Sequence, residues 1–177
     1  MPSSYRPVQW IALLVLLVYL VVLTKNIVFK KDSVRYYKRY FAKEYKRYSV
    51  RKGWEKANTV PFRTINMYYK GYKHNNKIAT YNLLGNLLGF IPFGFLLPLA
   101  VPWFRRFFPM LMAILLLSID YETIQLITGL GIFDVDDLLL NSTGALVGYL
   151  FFWLTSLLMK RSTISLPHSH NRDIGST

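Results

Sequence analysis

The chain has 177 residues, 53% of them hydrophobic, a formal net charge of +13 and no cysteine, so disulfides, thiolate zinc sites and cysteine nucleophiles are excluded. One domain is expected at this length. So basic a balance would suit a nucleic-acid binder, but the charge is segregated: residues 30–77 hold fifteen Lys or Arg and three acids, and the rest is largely apolar. Four long apolar runs beside a basic segment require lipid, so a membrane protein is expected and nucleic acid is not a partner.

The first apolar run covers about residues 10–29, with the uninterrupted core WIALLVLLVYLVVL. About 20 apolar residues cross a bilayer core of about 30 Å. Lys25 is near enough to the end to snorkel. A cleaved signal peptide is the competing reading. The run is long for one, only Arg6 precedes it and no small-x-small site follows, so a retained anchor is expected.

The basic segment follows. Its stretch VRYYKRYFAKEYKRY puts Tyr37, Phe41, Tyr45 and Tyr48 at helical spacing among Arg35, Lys38, Lys43, Lys46 and Arg47. Aromatics on one stripe and cations elsewhere suit the headgroup layer of an anionic bilayer, or an anionic cell-envelope polymer. A helical extension packed on the protein is the plainer alternative.

A second span is expected over residues 81–101, containing NLLGNLLGFIPFGFLLPLAV. Pro92 at its centre removes a backbone donor and should kink the helix. Gly85, Gly89 and Gly94 permit close helix approach. Asn82 and Asn86 need partners inside the bundle, because lipid supplies none.

The third span is expected over residues 109–127 and the fourth over residues 138–159, the short turn PWFRRF leading into the third. In SIDYETIQL, Ser118, Glu122 and Gln125 fall on one helical face, whereas Asp120 lies about 200° from Ser118 at 100° per residue. The loop TGLGIFDVDD breaks any helix and ends in acids. Asp134 can accept hydrogen bonds from the free amides of the fourth helix, Asp136 and Asp137 fall in its first turn, and Asn141 lies one turn deeper on the face of Asp137. Capping alone accounts for one or two of these acids. Three acids with an inward asparagine point to a polar site, its candidates being Asn86, Glu122, Gln125, Asp134, Asp136, Asp137 and Asn141. Carboxylate and amide oxygens of this kind suit Mg²⁺ or Ca²⁺, but the further motifs of metal-dependent lipid-phosphate enzymes are missing, and no resident metal or cofactor is expected. The sequence has no G-x-S-x-G and no phosphate-binding glycine loop.

The tail at residues 162–177 is polar and reads as disordered, with His168 and His170 solvated rather than metal-binding. Residues 1–161 are read as a single membrane domain.

Four blocks in order carry a resemblance: TVPFRTI, NLLGNLLGFIPFGFLLPL, SIDYETIQL and FDVDDLLLNSTGALVGYL. Together, over residues 58–153, they resemble the VanZ-like family. On that resemblance Pro61, Phe62, Asn86, Pro92, Gly94, Glu122, Gln125, Asp134, Asp136, Asp137, Asn141, Gly144 and Gly148 fall on the family's motif positions. The chain departs from the pattern at Asp120, where an apolar residue is usual, and at Gly131-Ile132, where an arginine often precedes the acidic run. The resemblance implies a bacterial membrane protein and, for the founding member, reduced susceptibility to the lipoglycopeptide teicoplanin. It names no reaction, so enzymatic activity is left open, with a non-enzymatic role favoured.

The expected architecture is therefore an all-α membrane protein: a four-transmembrane-helix bundle with a basic, partly helical interfacial segment between helices 1 and 2. Three functions fit it. One is a resistance or envelope protein that binds a lipid, a cell-wall precursor or the antibiotic at a polar pocket. The others are a metal-dependent enzyme on a lipid-linked substrate and a small proton-coupled carrier. Orientation signals conflict. The basic segment argues for its own side as cytoplasmic, whereas Arg105, Arg106, Lys160 and Arg161 argue for the opposite side. The reading adopted puts both termini in the cytoplasm and the acidic turn outside.

Overall fold

The computed structural model describes residues 5–28, 43–73 and 77–164. Arg35, Lys38, the Tyr37–Phe41 part of the aromatic stripe and the histidine tail lie outside the described residues. The helices are α1 (Tyr5–Val28), α2 (Lys43–Glu55), α3 (Arg63–Lys73), α4 (Lys77–Gly89), α5 (Ile91–Ala100), α6 (Phe107–Thr128) and α7 (Val135–Ile164), with a 3₁₀ turn at Pro102–Arg105. Among the described residues no β-strand occurs, only an isolated parallel bridge between Asn58 and Asp134.

Four helices are long and apolar enough to cross a membrane: Arg6–Val28, Leu83–Ala100, Phe107–Thr128 and Val135–Met159. The protein is an all-α, multi-pass membrane protein. The third and fourth spans begin two to three residues before the apolar runs do, since Phe107 and Val135 already have helical partners.

The second span, Leu83–Ala100, is interrupted at one residue, as a proline near its centre predicts. The break is at Phe90, with Pro92 in the first turn of α5, where its missing N–H costs nothing. Tyr19 of α1 donates its hydroxyl to the carbonyl of Gly89 at this break. A second orphan arises at Pro98, whose carbonyl would normally be served by the N–H of residue 102, a proline. Arg105 Nε donates to it instead at 3.1 Å, and Tyr149 in turn donates to the Arg105 carbonyl at 2.9 Å.

The bundle is held at its centre by backbone-to-backbone approach. A Cβ on Gly144 would collide with the Leu87 carbonyl, one on Gly148 with the Ile91 carbonyl, and one on Gly94 with the Ala145 carbonyl. Both Gly144 with Leu87 and Gly148 with Ile91 advance together along the chain, so the α4–α5 span and α7 run parallel. Without a hydrophobic force between helices in lipid, such close packing is the main attraction between them. Around the seam sit Phe90, Met110 and Ile114, all fully buried, and the Phe90 and Tyr121 rings meet edge to face at 6.1 Å. Leu14, Val18, Leu116, Leu150 and Leu154 face outward, where acyl chains would cover them.

α6 ends at Gly129, in the left-handed region at φ 71°, and its N–H caps the carbonyls of Gln125 and Leu126. A side chain here would also strike the backbone of Ser49 and Val50. So α2 lies across the end of α6, and the basic helix covers the loop that leads to the acidic turn.

Candidate functional site

The loop before α3 and the loop before α7 are clamped together. Asn58 N–H donates to the Phe133 carbonyl at 2.8 Å and Val135 N–H to the Asn58 carbonyl at 3.0 Å. Asp134 stands between the two loops. Its Oδ1 accepts from Asn58 Nδ2 at 2.9 Å and from Asp136 N–H at 2.9 Å, the second bond capping α7. Its Oδ2 accepts from the Thr64 hydroxyl at 2.5 Å. Its own N–H donates to Glu122 Oε2 at 2.9 Å.

Asp136 is fully buried. It does not serve its own helix but caps α3: Oδ1 accepts from Phe62 N–H at 2.5 Å, and Oδ2 from Thr64 N–H at 2.6 Å and Ile65 N–H at 3.1 Å. A carboxylate there satisfies orphan amides and meets the positive end of the α3 dipole. To aim its N–H at Asp136, Phe62 takes φ 65°, a left-handed conformation that a bulky side chain rarely adopts. The Phe62 ring itself is exposed, as is Pro61, so the loop's contribution to the clamp is its backbone.

A second polar layer lies deeper, between α6 and α7. Asn141 Nδ2 donates to the Ser118 hydroxyl at 3.1 Å, and both side chains are buried. The two helices are antiparallel, so Glu122, one turn beyond Ser118, and Asp137, one turn before Asn141, share the level just above. Both are buried. Gln125 turns the other way: its Nε2 donates to the Ile27 carbonyl of α1 at 3.0 Å. Asn86 is buried on α4, one residue from the Leu87–Gly144 contact. Three buried polar atoms here take no hydrogen-bond partner among the described residues: Asn86 Nδ2, Asn141 Oδ1 and Ser142 Oγ.

The structure thus gathers Glu122, Asp134 and Asp136 into one network, with Asp137 at the level of Glu122 and Asn141 a layer below. Asn86 sits across the α4–α7 seam and Gln125 is directed to α1. Pro92, Gly94, Gly144 and Gly148 shape the spans. Lys43 lies on α2, where Lys46 and Arg47 are exposed. Among the described residues no group of three or more His, Cys, Asp or Glu is arranged to hold a metal ion, and the oxygens of Asp134 and Asp136 already accept from N–H and O–H donors. The residues that sequence reasoning passed over are Asn58, Thr64 and Ser142. Asn58 had a usable signal: its Oδ1 accepts from Val60 N–H at 3.1 Å, the asparagine-led turn that an N-x-x-P run favours.

The VanZ/LLP1 family model matches residues 10–158. Protein VanZ from Enterococcus faecium is 31% identical over 84 residues, 46% of this chain and 50% of the relative. The chain therefore spans about half the length of the curated relative it matches. No solved structure matches the chain. With four membrane-crossing helices and a family match over most of its length, the chain belongs to the VanZ/LLP1 family.

Proposed function

We propose that this VanZ-like membrane protein lowers susceptibility to glycopeptide and lipoglycopeptide antibiotics, teicoplanin among them, without catalysing a reaction. It does so by binding a cell-envelope lipid, a cell-wall precursor or the antibiotic at a polar site opening on one face of the bacterial cytoplasmic membrane. The observation that carries this reading is the unused hydrogen-bonding capacity within the spans: Asn86 Nδ2, Asn141 Oδ1 and Ser142 Oγ are buried with no partner among the described residues. A buried polar atom without a partner has a cost of about 1–3 kcal/mol in stability. Three such atoms on α4 and α7 offer a donor and acceptors that a polar guest would satisfy.

The surrounding charge supports the same reading. Lys46, Arg47, Arg51, Lys52 and Lys56 are exposed on and just after α2, above the clamp, where anionic headgroups or envelope polymers would lie. With both termini in the cytoplasm, the clamp faces outward, the side on which glycopeptides act. The engagement of Asp134 and Asp136 by protein donors weighs against a divalent-cation enzyme.

The test is expression of the full chain in a susceptible bacterium, with growth measured against teicoplanin and a second lipoglycopeptide. Protection is expected from the unaltered chain and is expected to be lost in Asn86→Leu and Asn141→Leu at equal membrane abundance. Unchanged susceptibility with the unaltered chain present in the membrane would overturn the reading.

A further inference from the structure

Two opposite charges stand on the lipid-facing side of the bundle, apart from the polar site. Lys25 of α1 and Asp120 of α6 are both exposed, and neither takes an ion pair or a side-chain hydrogen bond among the described residues. Both lie inside apolar spans, Arg6–Val28 and Phe107–Thr128. Asp120 is eight residues from the end of its helix, about 12 Å at 1.5 Å per residue. An ionisable group as deep as Asp120 calls for a partner, and Lys25, free to reach outward, is a cation able to supply it.

Their placement relative to each other is fixed by two contacts. The hydroxyls of Thr24 and Tyr121 are 2.9 Å apart, and Gln125 reaches the Ile27 carbonyl. The paired positions ascend together, so α1 and α6 run parallel, with Thr24 and Tyr121 at one depth. Lys25 follows Thr24, and Asp120 precedes Tyr121. On two parallel right-handed helices that face one another, a step forward on one and a step back on the other turn to the same flank. Lys25 and Asp120 therefore stand side by side, at nearly equal depth, on one outer face. One turn below them the same face exposes Val21 and Leu116, at 71% and 61%.

The geometry points to a two-fold dimer of this chain, packed through the α1–α6 face, with Lys25 of each copy against Asp120 of the other. A plus–minus pair arranged side by side is self-complementary about a two-fold axis along the membrane normal. That rotation preserves depth and exchanges left for right, so each cation meets the partner's anion. A closed two-fold contact is the commonest symmetric assembly, and membrane depth leaves this axis as the natural one. Val21 and Leu116 would pack beneath the charge pairs, which draws both carboxylate and ammonium out of contact with acyl chains.

The experiment uses the full chain, fluorescently tagged, in dilute vesicles of phosphatidylethanolamine and phosphatidylglycerol, with copies counted by single-molecule photobleaching. Two-step bleaching is expected for the unaltered chain. Lys25→Asp or Asp120→Lys alone should lower the dimer fraction by roughly tenfold or more, because like charges then oppose in a weakly screened setting. The double exchange, Lys25→Asp with Asp120→Lys, should restore it. Because both positions are exposed, the variants are expected to fold, which an unshifted melting temperature would verify. The chain has no cysteine, so Lys25→Cys and Asp120→Cys copies, separately tagged and mixed, should join through a short bis-maleimide, whereas Lys25→Cys with Leu150→Cys should not. Single-step bleaching of the unaltered chain overturns the proposal. So does a dimer indifferent to both charge reversals, since its interface would then lie elsewhere.

Discussion

The carboxylate of Asp136 accepts the backbone N–H of Phe62 at 2.5 Å across 74 residues of chain, and Phe62 sits at φ 65° to make that bond. One end of the fourth span thereby holds the start of α3. The left-handed conformation of a non-glycine residue costs on the order of 1–3 kcal/mol. Charge-assisted bonds to three amides of α3 offset it.

Phe62→Gly should therefore be neutral or stabilising by about 1 kcal/mol, since glycine takes positive φ without steric cost and the lost ring is exposed. Phe62→Val should be destabilising, because a β-branched side chain tolerates that region worst. Thermal unfolding in detergent or nanodiscs distinguishes them. Equal destabilisation by both would show that the ring, not the backbone, matters.

Asp136→Ala should lower stability by about 2–4 kcal/mol, as it strips an acceptor from buried donors. Asp136→Asn, which keeps one acceptor oxygen, should lose less. Because α3 would lose its cap, proteolysis should begin between residues 56 and 63. Cleavage elsewhere first would argue against Asp136 as the tether of that loop.

The glycines of the span contacts give a graded series. Gly144→Ala and Gly148→Ala drive a methyl into the carbonyls of Leu87 and Ile91, and overpacking of this kind costs about 1–3 kcal/mol. Gly85→Ala, with nothing within 4 Å of the added Cβ, should instead stabilise its helix by about 1 kcal/mol. Opposite signs in the unfolding temperatures would verify the parallel seam.

The four spans were readable because length and apolarity suffice to identify them. The clamp was not. Asp134 and Asp136 read naturally as caps for the helix they begin, and Asp134 does cap it through Asp136 N–H. Nothing local to the FDVDD run says that the partners of Asp136 are amides at Phe62, Thr64 and Ile65, because that bond is set by tertiary placement of the two loops. Gln125 illustrates the same limit. Its face on α6 follows from spacing, but its partner, the Ile27 carbonyl of α1, is 98 residues away in sequence and is set by the tertiary packing of the two helices. Pro92 was readable as the source of a kink, and the second span is interrupted two residues before it, at Phe90, with Pro92 in the first turn that follows.

Asn86 separates stability from function most sharply. Its Nδ2 is buried without a partner among the described residues, so the fold gains nothing from that donor and bears its desolvation cost. Asn86→Leu should leave the melting temperature unchanged or raise it, by roughly 1 kcal/mol of relieved desolvation, while abolishing protection against teicoplanin. Asn141→Leu should behave differently, because it also removes the donor to Ser118. It should be destabilising alone and closer to neutral when combined with Ser118→Ala, since replacing both partners leaves neither stranded. Melting curves and antibiotic susceptibility measured on the same variants decide the matter. If Asn86→Leu both destabilises and disables, the asparagine is a packing element of the α4–α7 seam and its donor has no guest to meet.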